Sequence, residues 1–587
     1  MTIRRSEGPD RTPGRDRPAG LGGPPRRSVL RAGALTGIGL LAAACARIPT
    51  SSPVQQQQVG SGVVQDAPYV QPRLPVQGAG PEEIVLGFVQ AGVGPEDDYG
   101  VARQYLAPSA RSSWDPTAGV TIYPAGMELE VVRTSDVSAR LTVQALAQVD
   151  ARGIRTVLGA PSSREIDMRL ETVDGQWRIS SPPDGIFLSQ AAFENLFTTA
   201  RLYFLDPRAA HLVPDHRWFP VQQSAQKLLV QLGAGPSEVL APAVRSAVPQ
   251  LTELAEVTLV PGDDNTTQVE LPRAIDDLPE SQRDRALAQI QTSLRTLRGL
   301  SSVRVSIGGV VVDLSAGDLS RPLPGHRPIG AGTTGIISLA DITAGAGAAQ
   351  LVPALADDVV SSPAIAQSGP LAAALAADGG TLVLASTNGS IPRRDAALGG
   401  ALVAPRVDDA GYVWTSPVTS AGALLALSGS GSASDARVDA PWLAGRELRA
   451  LDLSADATRL IVLSADESVS RIDLCAVIRD AAGVPSALTS PVTLHTELGD
   501  VTQISWYDEI EVLVLGTAAQ SGEQQVLVLN LLEGSEMMPA PRQGTLRVAG
   551  TAVSEVIWAT TEAGALLRTN GTGWSTVDLP ARDPSYY

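Results

Sequence analysis

Cysteine is almost absent from this chain: two residues, Cys45 and Cys475, in 587. That excludes a disulfide scaffold and any zinc or cluster site built from four thiolates. Histidine is nearly as rare. His211, His216, His326 and His495 are too few and too scattered for a histidine-built metal centre, so no metal site is expected. Lysine occurs once, at Lys227, which reads as the coding bias of a GC-rich genome rather than as chemistry. A formal charge of −17 leaves no basic face for nucleic acid. No stretch reaches the ~18 uninterrupted apolar residues that a membrane-spanning helix needs. What is present is a 44% hydrophobic fraction, enough for real cores, with 56 Gly and 43 Pro. These point to many turns and hence many short strands. At ~150 residues per domain the length suggests three or four domains.

The first 44 residues read as a signal peptide. Eight Arg and three acids occupy residues 1–31, followed by 13 uncharged residues, Ala32 to Ala44, and then Cys45. A basic start, a short apolar stretch and small residues before a break form an export signal. As a helix the apolar run rises ~20 Å, too little for a ~30 Å hydrocarbon core. Leu41-Ala42-Ala43-Ala44-Cys45 resembles a bacterial lipobox, which makes Cys45 the expected site of S-diacylglycerol and N-acyl attachment. Ala42 stands where Leu is preferred; an ordinary cleaved signal with an incidental cysteine is the alternative. Arg26-Arg27 also resembles a twin-arginine signal, and the export route stays open. The leader takes eight of the 45 basic and three of the 62 acidic residues, leaving 37 against 59, a net −22. Such a body is repelled by anionic headgroups, so a tether must hold it. Residues 45–79, rich in Gln, Pro, Ser and Gly, read as a flexible stalk.

Three blocks follow. Residues 80–189 combine helices near Ile84–Val89 and Val101–Leu106 with strands Met127–Arg133, Val137–Gln148 and Glu165–Thr172, and an Asp174-Gly175 hairpin. This looks like a nuclear-transport-factor-2-type α+β cone. Residues 198–309 read as β-β-α-β-β-α-β, two helices on one sheet. The first helix, Ser224–Leu232, is capped by Gly233, and the second places Ala286, Ile290, Leu294 and Leu297 on one side. This resembles the GerMN domain. Residues 321–587 repeat a polar turn followed by an apolar strand: TLVLAS at 381, YVWTS at 412, LIVLS at 460, VLVLG at 512 and VIWAT at 556. Spacings of 31, 48, 52 and 44 approach the ~40–50 residue period of propeller blades, except for the 31. Five or six blades fit, the earliest near Ile336–Leu339; two β-sandwiches are the alternative.

No catalytic residues are expected. Gly330-Ala331-Gly332-Thr333-Thr334-Gly335 matches a dinucleotide-loop pattern, but prolines precede it and no helix follows, so it reads as a flexible linker. No GxSxG occurs, and Ser428–Ser434 reads as a loop. The pairs Asp263-Asp264, Asp357-Asp358 and Asp408-Asp409 are adjacent, face opposite ways in a strand, and read as turn residues. His211 and His216 read as surface or hydrogen-bonded, and Cys475 as a buried inert thiol.

The run Cys45-Ala46-Arg47-Ile48-Pro49-Thr50-Ser51-Ser52-Pro53 after an apolar stretch, then cone, GerMN-like module and propeller, resembles the actinobacterial LpqB lipoprotein family over essentially the whole chain. The resemblance implies a non-catalytic lipoprotein without cofactors at the extracytoplasmic face of the cell membrane, anchored to the bilayer through acylated Cys45. It implies a sensor histidine kinase extracellular domain (MtrB-like) as partner and a role in modulating the MtrAB two-component system. From another class, a lipoprotein binding cell-wall glycan or a small ligand remains the alternative.

Overall fold

The computed structural model describes residues 72–587 apart from 262–265, 301, 313–318, 341–347, 430–433, 468, 533 and 572. The leader, Cys45, most of the stalk, Asp263-Asp264 and part of the Ser428–Ser434 loop lie outside the described residues. The fold is α+β, with strands predominating.

The first module opens with α1 (Pro81–Ala91). Proline sits at its first position, and the Glu83 carboxylate turns back to accept from the Gly80 N–H at 3.1 Å. Its inner face buries Ile84, Val85, Phe88 and Val89. Next come α2 (Glu96–Arg103) and α3 (Pro108–Ser113). The second helix was expected to hold Tyr105 and Leu106; both instead lie in the connection beyond Arg103, where Leu106 bridges to Ile179. The sheet comprises β1 (Gly119–Tyr123), β2 (Glu130–Ser135), β3 (Ser138–Asp150), β4 (Arg155–Val173), β5 (Gln176–Ser181) and β6 (Ile186–Ser189), in the order β5-β4-β3-β1-β6 with β2 also on β3. β3 alternates strictly, sending Leu141, Val143 and Val149 inward. The Asp174-Gly175 turn is made as its sequence predicts, with both residues at positive φ, 49° and 75°. Strands β1 and β6 are additional to the three expected and to the second arm of the hairpin, β5.

After α4 (Gln190–Leu196), the second module follows the expected order closely: β7 (Phe197–Leu205), β8 (Leu212–Pro220), α5 (Ser224–Ala234), β9 (Leu259–Pro261), β10 (Thr267–Leu271), α6 (Glu280–Leu294), β11 (Val303–Ile307) and a short β12 (Val310–Val311). Two details differ. The strands form a β7-β8 ribbon and a separate sheet β12-β11-β10-β9, not one sheet. Helix α5 also runs past Gly233, and the left-handed residue that ends it is Gly235 at φ 97°. The expected face of α6 is buried: Ala286, Ile290 and Leu294, with Leu297 just beyond.

The third module is a six-bladed propeller. Its innermost strands are Arg582–Tyr586, Val360–Ile365, Arg406–Val407, Glu447–Leu453, Leu498–Trp506 and Thr545–Gly550. Each touches the next round a closed ring, and the last meets the first. The blade that closes the ring joins Arg582–Tyr586 from the chain's end to the hairpin Pro328–Ala331 and Ile336–Ser338. This corrects the linker reading of Gly330–Gly335. The glycines form that hairpin, and Gly335 takes φ 66° in its turn. The irregular 31-residue spacing is also explained. TLVLAS is the third strand of its blade, whereas the other four segments are second strands. Its true counterpart is Leu371–Ala376, LAAALA. Second strands then start at 328, 371, 412, 459, 511 and 557, spaced 43, 41, 47, 52 and 46. Alanine has little strand preference and so hid that strand.

Candidate functional site

Four of the five acidic turns that mark the repeat lie between first and second strands and so gather at one end of the propeller; the Asp378 turn, between second and third strands, lies at the other. At the first end Asp408, Asp452 and Asp456 are each committed to structural bonds. Asp408 is buried; its Oδ2 accepts from Trp414 Nε1 at 2.8 Å and Arg479 Nη2 at 2.7 Å, and its Oδ1 from the Tyr412 N–H. Asp452 accepts from Arg406 Nε at 2.7 Å and from the Trp506 N–H at 2.8 Å. Asp456 Oδ2 accepts from both Nε and Nη2 of Arg459, at 3.2 and 2.6 Å. Asp408 thus does more than the turn chemistry its sequence suggests: through Arg479 it ties two neighbouring blades. Asp409 is a turn residue, accepting from the Ser368 N–H, and Asp358 pairs with Arg393 on the surface. Cys475 is 1% exposed in a strand of the fourth blade, and burial pushes its thiol well above the ordinary range, away from the thiolate a nucleophile needs.

The same end of the propeller carries the second module. Glu509, 5% exposed in a turn of the fifth blade, is the centre of the contact. Its Oε2 accepts from Arg201 Nη1 at 3.2 Å, Tyr203 Oη at 3.0 Å and Arg321 Nη2 at 2.8 Å. The Arg321 guanidinium also lies 4.7 Å from the centre of the Tyr203 ring. Burial, then the Glu509 charge, push the Tyr203 phenol upward, so it stays protonated and donates. From the other side Arg459 Nη1 donates to the Glu509 carbonyl at 2.8 Å. The first module joins through Arg155 Nη1, which donates to the Leu532 carbonyl of the propeller at 3.0 Å, and through Arg152 Nη2, at 2.8 Å from the carbonyls of Gly235 and Pro236.

His211 and His216 are not a pair. His211 Nδ1 bonds Ser320 Oγ at 2.8 Å. His216 lies on β8 at the junction of the modules, its Nε2 buried and without a partner. Burial, and then Arg459, Arg201 and Arg217, hold its imidazole well below the ordinary histidine range, so it is neutral in the fold. In the unfolded chain it takes a proton near pH 6.5. The unfolded state therefore gains stability as pH falls through 6.5, and the fold's advantage is present above that pH and lost below it. We expect about 1–2 kcal/mol of stability to be lost between pH 6.5 and 5, from a slope of at most ~1.4 kcal/mol per unit for one proton. Urea unfolding across that range should show the slope, and His216→Asn should remove it; equal slopes in both proteins would refute the assignment.

The chain matches three family profiles in succession: "Lipoprotein LpqB, N-terminal domain" over residues 74–194, "Sporulation and spore germination" (Germane) over 201–313, and "Lipoprotein LpqB beta-propeller domain" over 339–586. It is 26% identical to Lipoprotein LpqB of Streptomyces avermitilis, over 97% of this chain and 100% of that one. Against Lipoprotein LpqB of Cutibacterium acnes it is 28% identical, covering 85% of this chain and 87% of that one. A shorter match to the Rhodococcus opacus protein is 34% identical over 38% of each chain.

Proposed function

This chain belongs to the LpqB lipoprotein family, and from that premise we propose an exported, non-catalytic regulator, acylated on Cys45 and held at the outer face of the cell membrane, that modulates an MtrAB-type two-component system by binding the extracellular domain of its sensor histidine kinase. The observation that carries this reading is the order of parts along one chain. An arginine-rich leader and a cysteine precede modules of recognition type, and the acids found at the propeller's end are held by arginines. With −22 on the exported part, electrostatics oppose contact with anionic lipid, which gives the acyl chains the work of attachment. Each buried CH₂ contributes ~0.8 kcal/mol, and two or more chains make attachment durable. Residues 45–79 then serve as the stalk. Among the described residues no helix is long and apolar enough to cross a membrane. The sheet of the Germane-type module offers a surface for a partner: its edge strands β9 and β12 expose Val260, Val310 and Val311. An unpaired edge with apolar side chains suits strand addition by another chain.

Cross-linking in membranes with identification of the partner tests the reading. The wild-type chain is expected to fractionate with membranes and to recover the sensor. Cys45→Ala is expected to lose most of its membrane association and to cross-link poorly. An unmodified Cys45 thiol by mass spectrometry, or wild-type cross-links that never include the sensor, would count against it.

A further inference from the structure

A cavity of about 320 Å³ lies where all three modules meet, within the usual range for small-molecule sites. Its walls are mixed. Arg155, His216, Trp218 and Ser237 line it from the first two modules, and the propeller gives Leu474, Leu494, Leu529 and Leu531 along with Arg459 and His495. Arg155 Nε, His216 Nε2, Trp218 Nε1 and Ser237 Oγ are all buried without a hydrogen-bond partner. Trp218 and Ser237 are 8% and 5% exposed. Buried polar groups in native folds are nearly always paired, and these four orphans all belong to residues that line one space.

Charge narrows its chemistry. Arg217 is neutralised by Asp215, and Arg459 by Asp456. Arg201 and Arg321 are held by Glu509, with Asp508 also acting on Arg321. Arg155 makes no ion pair among the described residues, and the Glu194 carboxylate acts on it only from a distance. It lies over the rings of Trp218 and Phe193, at 5.5 and 5.9 Å, and spends one nitrogen on the Leu532 carbonyl. Burial lowers its pKa, the expected response of a guanidinium with no counter-ion in contact.

We propose that this junction cavity binds an anionic amphiphile, with a carboxylate or phosphate head against Arg155, Trp218 and Ser237 and an apolar body against the propeller leucines. Such a ligand would give the Arg155 guanidinium a counter-ion in contact and touch all three modules at once. It would bind the assembled body in preference to separated modules and stabilise it by mass action.

Calorimetry and thermal melting of the full chain in a nonionic detergent, titrated with octanoate and octyl phosphate, test this. Octanol and inorganic phosphate supply the tail alone and the head alone. Saturable binding of at least one amphiphilic anion is expected, at least tenfold tighter than either control; which anion binds better separates a fatty-acid from a phosphate head. Arg155→Gln should weaken binding tenfold or more. Val492→Trp, at a residue that lines the cavity and is 45% exposed, should block binding without disturbing a core. Signals equal in the wild type and both variants would mean partition into detergent and would overturn the proposal. So would octanol binding as well as the anions, or no binding of either anion, which would leave the cavity to water.

Discussion

Glu509→Ala is expected to cost about 2–3 kcal/mol and to loosen the second module from the propeller. It forfeits charge-assisted hydrogen bonds and leaves a buried phenol unpaired, while water reaches the guanidiniums, 32% and 41% exposed, and offsets part of the lost pairing. Here one carboxylate serves two guanidiniums and a phenol: Arg201 and Tyr203 of β7, and Arg321 of the connection into the propeller. Alanine leaves Arg201 and Arg321 facing each other across the vacated site, and the Tyr203 hydroxyl without its acceptor. Tyr203 is fully buried, so water does not readily replace the lost bond. Glu509→Gln keeps the shape and one acceptor oxygen but not the charge, and its loss should be intermediate. Thermal unfolding should fall and separate into two steps. Proteinase K, which does not need a basic residue, should cut sooner in the connection around Arg321, where both of the connection's arginines precede proline and trypsin is blind. A single transition within a degree of wild type, with unchanged proteolysis, would mean that the modules are held by apolar packing alone. One such contact exists: Ala476 of the propeller belongs to the buried core of the second module.

Much of this architecture was legible in the residues because its signals are local. The order of the second module followed from alternation in Thr267–Leu271 and Val303–Ile307 and from the apolar side of α6. The Asp-Gly hairpin was readable for the same reason: two residues decide it. What escaped depends on distant partners. LAAALA is a strand only because Val360–Ile365 and Thr381–Ser386 pair with its two edges while the neighbouring blades bury its two faces. The split of the second module into ribbon and sheet is a matter of pairing, which spacing does not encode. Asp408 looked like any turn residue, since its role is set by Arg479, 71 positions on. His216 looked like a surface histidine, since the arginines that suppress its charge come from the propeller as well as its own module. The donors to Glu509 likewise lie 188 to 308 residues from it in sequence, and no local motif announces them.

The strand Arg582–Tyr586 carries this furthest, and its removal should have the largest effect on the fold. RDPSY has no apolar alternation and contains Pro584, so it does not read as a strand. It becomes one by its place. As the innermost strand it has an open edge, and its register on Pro328–Ala331 slips between Ile329 and Ala331, so Pro584 falls where a ladder N–H is not required. It is also bonded to both neighbouring blades or their turns. Arg582 Nη2 donates to the Val360 carbonyl at 3.2 Å, Asp583 Oδ2 accepts from the Ser362 N–H at 3.0 Å, and Tyr586 Oη donates to the Val556 carbonyl at 2.7 Å. Ending the chain after Ala581 removes the innermost strand that bonds the first blade to the last, leaving Ile337 and Leu339 packed on Trp558 and Leu566 as remaining contact between them among the described residues. It bares the edge of Pro328–Ala331 and breaks the ring into an open stack with exposed strand edges. The loss should be comparable with the whole net stability of a domain, ~5–15 kcal/mol, so the propeller should fail to unfold cooperatively or should aggregate. Tyr586→Phe deletes only a hydroxyl and should cost about 1 kcal/mol. Circular dichroism melting of the three proteins separates the cases: if the truncated chain melts as sharply as Tyr586→Phe, ring closure is not what holds the blades together.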